Sequence, residues 1–255
     1  MSVWAIRHGT QSSTSRLIPP PPPHHPYSLA AVRAYAAQLL LALGLLEKLR
    51  IVHSDVKPQN ILVGSNFNVL KLADFGSAFS ADDADADPTP YVGSRFYRAP
   101  ETILCARHTP AIDVWAAACV LYELFTGAPL FAGFDNNDML ARHQALCGRF
   151  PQKMIRKSIA SATTLGAEVH FEADSRFRHS VVDPVSREPG VRLETVPEVP
   201  TESLFSKLWV KRAEGDDKRT IGVFADLLEQ MLRLDPARRP SIAEALAHPF
   251  LAQKR

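Results

Sequence analysis

Several features that would point to a particular class of protein are scarce in this sequence of 255 residues. Three cysteines (Cys105, Cys119 and Cys147) have neither the spacing of a zinc site nor that of a disulfide framework, which favours a reducing intracellular compartment. The net charge is only +2, so no direct nucleic-acid or membrane partner is expected. The longest apolar stretch, Leu39–Leu46, is too short to cross a bilayer, and no apolar secretion signal opens the chain.

Glycine-rich phosphate loops are also missing, because no G-x-G-x-x-G segment occurs anywhere in the chain. Proline, in contrast, is concentrated near the N-terminus, where Pro19–Pro23 form an unbroken run. Such a run favours polyproline II, which buries little surface. We therefore expect residues 1–27 to be a disordered leader, the alternative being a proline-rich partner-binding motif.

Apolar periodicity predicts the main helices. Ser28–Leu49 repeats apolar residues at steps of three and four, with Ser28 as a plausible N-cap. Ala111–Phe125 is apolar nearly all round, so it is expected to be buried and to end before Gly127. Ile221–Leu234 predicts another helix with one apolar face.

The remainder of the C-terminal half is less regular. A capping box at 241–244 opens a last helix. Residues 131–220 have weak periodicity, apart from a candidate helix at Met139–Phe150. These residues predict an irregular segment before the C-terminal helices.

The most informative stretch is Ile51–Gly76. It carries, at fixed spacing, the residues His53, Asp55, Lys57, Asn60, Asp74, Phe75 and Gly76. Short apolar strands at 61–63 and 69–72 predict a hairpin that brings Asn60 and Asp74 to the same end, where their oxygen atoms suit Mg²⁺. The pattern H-x-D-x-K-x-x-N followed by D-F-G resembles the catalytic and metal-binding loops of protein kinases.

This resemblance implies a role for each motif residue. Asp55 would accept the proton of the attacking hydroxyl, and Lys57 would steady the transferring phosphate. Asn60 and Asp74 would hold Mg²⁺ and contact ATP, with Leu62 under the adenine. His53, Phe75 and Gly76 would be structural. Lys57 also favours serine and threonine over tyrosine as acceptors.

Residues 89–101 resemble the activation segment of the CMGC group of kinases. There Ser94 would bridge Asp55 and Lys57. Tyr91 matches the activation-loop tyrosine of the dual-specificity tyrosine-regulated kinases, and its phosphate would pair with Arg95 and Arg98. The alternative is that Tyr91 simply packs against its neighbours.

Four further positions complete the comparison. The resemblance to kinases implies that Asp113 holds the backbone of the catalytic loop and that Glu101 pairs with Arg239. These roles are structural. Ser54 departs from the family, which usually has an arginine there that binds an activation-loop phosphate.

The sequence thus predicts a protein-kinase-like α+β fold that consists of the mainly helical large lobe. That lobe would span 28–251, with a CMGC-type insertion within 131–220 and a short tail at 252–255. The small β-rich lobe, with its glycine-rich loop and its lysine–glutamate pair, is expected to be absent.

Three hypotheses for function follow. The first is a piece of a serine/threonine kinase that transfers the γ-phosphate of ATP to proteins. It resembles the pre-mRNA-splicing kinases, which implies spliceosomal partners and a nuclear, otherwise intracellular, location. The second is a catalytically inactive interaction module, and the third an unrelated helical scaffold. We expect weak or absent kinase activity from these 255 residues alone, because the lid over ATP is missing.

Overall fold

The structure, a computed structural model, describes residues 15–18, 27–64, 68–83, 89–182 and 187–252. Its helices are α1 (Leu29–Lys48), α2 (Pro100–Ile103), α3 (Ala111–Thr126), α4 (Asn136–Cys147), α5 (Gln152–Leu165), α6 (Leu204–Val210), α7 (Lys218–Met231), α8 (Ile242–Leu246) and α9 (Pro249–Ala252). Its strands are β1 (Ser15–Leu17), β2 (Ile51–Val52), β3 (Ile61–Gly64), β4 (Leu70–Leu72), β5 (Phe79–Ser80), β6 (Phe177–Val182) and β7 (Pro189–Glu194).

Helix α3 lies at the centre of the hydrophobic core, as its composition predicts. All but two of its residues are buried, against α1, α6 and α7. Each large aliphatic side chain in such a position contributes about 1.5–3 kcal/mol by its removal from water. Gly127 ends the helix in the left-handed conformation, with φ at 76°, and its N–H donates to the carbonyl of Glu123. The predicted buried helix is therefore confirmed.

Helix α1 begins where its cap predicts. The Ser28 hydroxyl accepts a hydrogen bond from the N–H of Ala31 at 3.3 Å. By length and composition alone this helix meets the criterion for a membrane span, which the short run Leu39–Leu46 did not suggest. Its packing gives another reason for its apolar character: one face enters the core against α3, and a Cβ on Gly44 would lie 3.1 Å from Ile242 of α8.

A three-stranded antiparallel sheet has the strand order β1-β3-β4, and its strands β3 and β4 follow the predicted catalytic loop in the chain. The β3–β4 hairpin is the predicted one, and it pairs Ile61 with Leu72. Strand β1 corrects the prediction of a disordered leader for part of that segment, because Leu17 pairs with Leu62 and Ile18 is buried. Strand β1 was not predicted because a strand of only three residues has too little sequence pattern to recognise. The proline run Pro19–Pro23 lies outside the described residues.

The segment between α3 and α7 is more regular than its sequence suggests. Helix α5 and the antiparallel β6–β7 hairpin were not anticipated, and α4 begins three residues earlier than its predicted start. Only Ile155, Ser158 and Ala162 of α5 are buried, so its apolar signal is weak. Phe150 and Phe177 both contact Phe171, which anchors the hairpin to the lobe.

The C-terminal helices follow their capping signals. Helix α7 spans Lys218–Met231, which is three residues nearer the N-terminus than predicted, because Asp217 caps it through the N–H of Thr220. Ser241 and Glu244 form both hydrogen bonds of the predicted capping box. Helix α9 extends to Ala252, the first residue of the predicted tail.

Candidate catalytic site

The predicted catalytic loop begins after β2 and includes a turn of 3₁₀ helix at Pro58–Asn60. Helix α3 holds the backbone of this loop through Asp113. The carboxylate of Asp113 accepts hydrogen bonds from the backbone N–H groups of His53 at 2.7 Å and of Ser54 at 2.9 Å. Burial raises the pKa of Asp113 to about 7, against these two hydrogen bonds, which lower it. A single side chain of the core helix therefore fixes the backbone immediately before Asp55.

Asp55 is the centre of a cluster of polar side chains. The ammonium group of Lys57 donates to Asp55 Oδ2 at 2.7 Å and to Ser94 Oγ at 2.9 Å. The N–H of Ser94 donates to Asp55 Oδ1 at 3.0 Å. The amide nitrogen of Asn60 donates to the Asp55 carbonyl at 2.8 Å and to Oδ2 at 3.1 Å.

These contacts decide the protonation state of Asp55. Burial acts to raise the pKa of its carboxyl group, but hydrogen bonds and charge from Lys57 and hydrogen bonds from Ser94 outweigh that effect. The pKa of Asp55 therefore lies below its ordinary value. The group is an ionised carboxylate at neutral pH, the form that can accept a proton.

The β3–β4 hairpin brings the backbone next to Asp74 into contact with the end of the catalytic loop. The N–H of Ala73 donates to the carbonyl of Asn60 at 2.9 Å, so the residues that flank the hairpin are held together. Asp74 has φ at 62° and an exposed side chain, and its Oδ1 accepts from the N–H of Gly76 at 3.3 Å. The hairpin thus delivers a carboxylate and an amide oxygen to one side of the site.

This donor set fits Mg²⁺. Asn60 uses its amide nitrogen as a donor to Asp55, which leaves its oxygen as the atom that suits a metal. Within the described residues, no group of three or more histidine, cysteine, aspartate or glutamate side chains could hold an ion. Mg²⁺ needs no such cage, since it is usually held by one or two carboxylates together with water and substrate phosphates.

The rings of His53 and Phe75 pack against each other. Their ring centroids are 5.0 Å apart, and the His53 Nε2 lies 3.0 Å from the Ala73 carbonyl. Burial lowers the pKa of His53, so the ring is neutral at pH 7 and Nε2 carries the proton that Ala73 accepts. Phe75 is nevertheless 49% exposed on its other side.

The predicted phosphosite and its arginines lie on the activation segment. Tyr91 is 74% exposed, so its side chain lies outside the core. Arg98 donates to the carbonyls of Val92 and Gly93 and to the side chain of Asn136. Arg95 is exposed and donates to the carbonyl of Phe134.

Glu101 and Arg239 lie deeper, below the activation segment. Two hydrogen bonds of 2.5 and 2.6 Å join the Arg239 guanidinium to the Glu101 carboxylate, and both side chains are 1% exposed. The guanidinium also lies 5.0 Å from the centroid of the Trp115 ring. The pair ties the segment after Tyr91 to the C-terminal helices.

Leu62 lies on β3, where it pairs with Leu17 of β1, and it is half-buried. Sequence reasoning missed three contacts in this region. The Ser54 hydroxyl donates to the Ser77 carbonyl at 2.7 Å, Asn136 binds Arg98, and the Tyr97 hydroxyl donates to Glu123 at 2.7 Å. The only signal for any of them was the departure from the family pattern at Ser54.

Comparison with known proteins identifies the family. A model of the protein kinase domain matches residues 11–251, so the chain belongs to the protein kinase family. The serine/threonine-protein kinase prp4 of Schizosaccharomyces pombe is 40% identical over 228 residues, which cover 89% of this chain and 46% of that protein. The serine/threonine-protein kinase prpf4B of Dictyostelium discoideum is 38% identical over 229 residues, or 88% of this chain and 27% of that protein.

A third relative is the dual specificity tyrosine-phosphorylation-regulated kinase 3 of Rattus norvegicus. It is 34% identical over 231 residues, which cover 89% of this chain and 37% of that protein. The chain therefore spans less than half the length of each of these relatives. By family the chain is a protein kinase that is similar to serine/threonine-protein kinases, which overturns the hypothesis of an unrelated scaffold.

Proposed function

We propose that these residues form the large-lobe half of a serine/threonine kinase site that transfers the γ-phosphate of ATP to protein hydroxyl groups. The observation that carries the proposal is the contact of Lys57 with both Asp55 and Ser94. The proposed metal ligands Asn60 and Asp74 flank the adjoining hairpin. Protein kinases generally use ATP with Mg²⁺, and their substrates are proteins. The proposal extends those family properties to this chain.

The reaction assigns one task to each residue. The substrate hydroxyl oxygen bonds to the γ-phosphorus while the bond to the β–γ bridging oxygen breaks, and ADP leaves. Asp55, already ionised, accepts the hydroxyl proton. Lys57 lies 2.7 Å from Asp55 and neutralises charge on the transferring phosphoryl group. Asn60 and Asp74 would hold Mg²⁺, which supplies charge neutralisation on the phosphates when bound.

Tyr91 is proposed as a regulatory phosphorylation site. Its exposed side chain is accessible to a kinase, and the Arg98 guanidinium already lies 3.4 Å from its backbone carbonyl. A phosphate would add about −1.5 to −2 charges beside Arg98 and the exposed Arg95. New charge-assisted hydrogen bonds to these arginines would order the segment.

The biological setting is proposed from resemblance alone. The sequence at residues 134–140, 150–158 and 183–188 is similar to that of the pre-mRNA-splicing kinases, which supports spliceosomal proteins as substrates and partners and the nucleus as the location. Neither follows from the geometry of the site.

A phosphotransfer assay on a basic protein substrate tests the proposed reaction. We expect weak activity that requires Mg²⁺ and is lost in Asp55→Asn and Asp74→Asn. Asp82→Asn is the matched control, because Asp82 is an exposed aspartate that pairs with Arg50 outside the site. Activity that survives Asp55→Asn would contradict the assignment, and a fully inactive chain that still binds partners would favour the interaction-module alternative.

A further inference from the structure

Ser54 occupies a strained and buried position at the centre of the site. Its φ is 67°, in the left-handed region that serine seldom adopts, and only 7% of the residue is exposed. Its N–H is held by Asp113, and its hydroxyl donates to the Ser77 carbonyl at 2.7 Å. A strained conformation persists only where its surroundings hold it in place.

The neighbouring residue makes a matching contact on the other side of Asp74. His53 Nε2 lies 3.0 Å from the Ala73 carbonyl, one residue before Asp74, and Ser54 Oγ binds Ser77, three residues after it. Two consecutive side chains therefore hold both flanks of the metal-binding loop. Both start from backbone that Asp113 fixes.

The activation segment reaches the same residue. A Cβ on Gly93 would lie only 2.6 Å from the carbonyl oxygen of Ser54. The next residue, Ser94, donates its N–H to Asp55. Ser54 thus lies where the catalytic loop, the metal-binding loop and the end of the activation segment converge.

We propose that Ser54 is a positioning residue whose hydroxyl clamps the loop carrying Asp74 against the loop carrying Asp55, without any phosphate. This inference rests on the proposed function for its catalytic meaning, but the clamp itself is a property of the fold. Where kinases of the usual pattern have an arginine that needs a phosphate partner, this chain uses a neutral hydrogen bond to a backbone carbonyl.

The chain offers a clean set of variants for the test. Ser54→Gly removes the hydroxyl and adopts φ at 67° without strain, so the clamp is lost while the backbone is favoured. Ser54→Cys keeps a weaker donor. Ser77→Ala is the matched control, because the acceptor is the backbone carbonyl and its exposed side chain is not used. All are made in a Tyr91→Phe background, which cannot carry the proposed phosphate.

The first measurement is amide hydrogen exchange by NMR on the unliganded chain, at Ala78, whose N–H donates to the Phe75 carbonyl at 3.1 Å. We expect about fivefold faster exchange in Ser54→Gly, the effect of one ordinary net hydrogen bond, and a smaller increase in Ser54→Cys. The exchange rate of Ala78 should be unchanged in Ser77→Ala. The exchange rates of the α3 amides should be unchanged in every variant. Unchanged exchange at Ala78, or an equal increase throughout α3, would overturn the clamp.

The second measurement separates the clamp from the proposed function. In the phosphotransfer assay, Ser54→Gly should lower kcat with little change in KM for the protein substrate, and Ser54→Cys should restore part of the loss. A loss of kcat with no change in exchange would overturn the clamp. If the parent chain transfers no phosphate at all, the proposed function fails, while the exchange result still decides the clamp.

Discussion

Glu101 and Arg239 are 138 residues apart in the sequence, yet they form a two-pronged ion pair that is almost completely buried. The pair joins the end of the activation segment to the connection between α7 and α8. Arg239 is also held by the carbonyls of Arg233 and Ala111. Such a pair is costly to break, because the remaining charge is left without a partner in a medium of low polarity.

The first prediction concerns this pair. Glu101→Gln should lower the free energy of unfolding by about 3–5 kcal/mol, the usual cost of an uncompensated buried charge. Chemical denaturation measures the loss. The double variant Glu101→Leu with Arg239→Met should be less damaging, because no charge is left. Asp82→Asn, at the exposed pair with Arg50, should change little, and an equally small effect at Glu101 would contradict the prediction.

The second prediction concerns the close approach at Gly93. Gly93→Ala and Gly166→Ala both place a side chain at a positive φ, of 75° and 63°, so both should lose about 1–2 kcal/mol from backbone strain. Only at Gly93 would the new Cβ meet another atom, the carbonyl of Ser54, while nothing lies within 4 Å at Gly166. Gly93→Ala should therefore cost about 1–3 kcal/mol more in thermal unfolding. Equal losses would show that the close contact is relieved without cost.

The third prediction is a pH dependence. His143 is fully buried between the rings of Trp115 and Phe131, with centroid distances of 4.8 and 4.6 Å. Burial lowers the pKa of His143 to about 3, and the charge of Arg239 acts in the same direction. The unfolded chain, with a histidine pKa of about 6.5, binds more protons between these two values. Stability from the neutral ring is therefore present above pH 6.5 and is lost as the pH falls.

His143→Leu removes this proton linkage. Between pH 7 and pH 5, the parent chain should lose about 2 kcal/mol more stability than the variant. His170, whose pKa burial lowers to about 4, is present in both proteins, so its contribution cancels. Denaturation at several pH values gives the comparison, and parallel stability profiles for the two proteins would show that His143 does not titrate as its burial requires.

Much of the site could be predicted because its residues lie close in sequence and its geometry follows from local rules. The hairpin between Asn60 and Asp74 follows from two short apolar strands, and its register brings the two side chains to one end. The buried helix α3 and the cap at Ser28 likewise follow from periodicity and from the capping preference of serine.

Other features depend on contacts that no local pattern encodes. Strand β1 exists because β3 offers an edge for it to pair with, and helix α5 buries little apolar surface. The hydrogen bond from Ser54 to Ser77 joins a side chain to a backbone carbonyl, which every residue possesses, so no residue type marks the acceptor. Tertiary structure alone reveals such a contact.

The measurement that tests the central claim most directly is calorimetric titration of the purified chain with ATP, with and without Mg²⁺. If Asp74 and Asn60 hold the metal beside Asp55, ATP should bind in a Mg²⁺-dependent manner, and Asp74→Asn should abolish the binding while Asp82→Asn leaves it intact. Absence of binding to the parent chain, or binding that Asp74→Asn does not affect, would contradict the proposed nucleotide site.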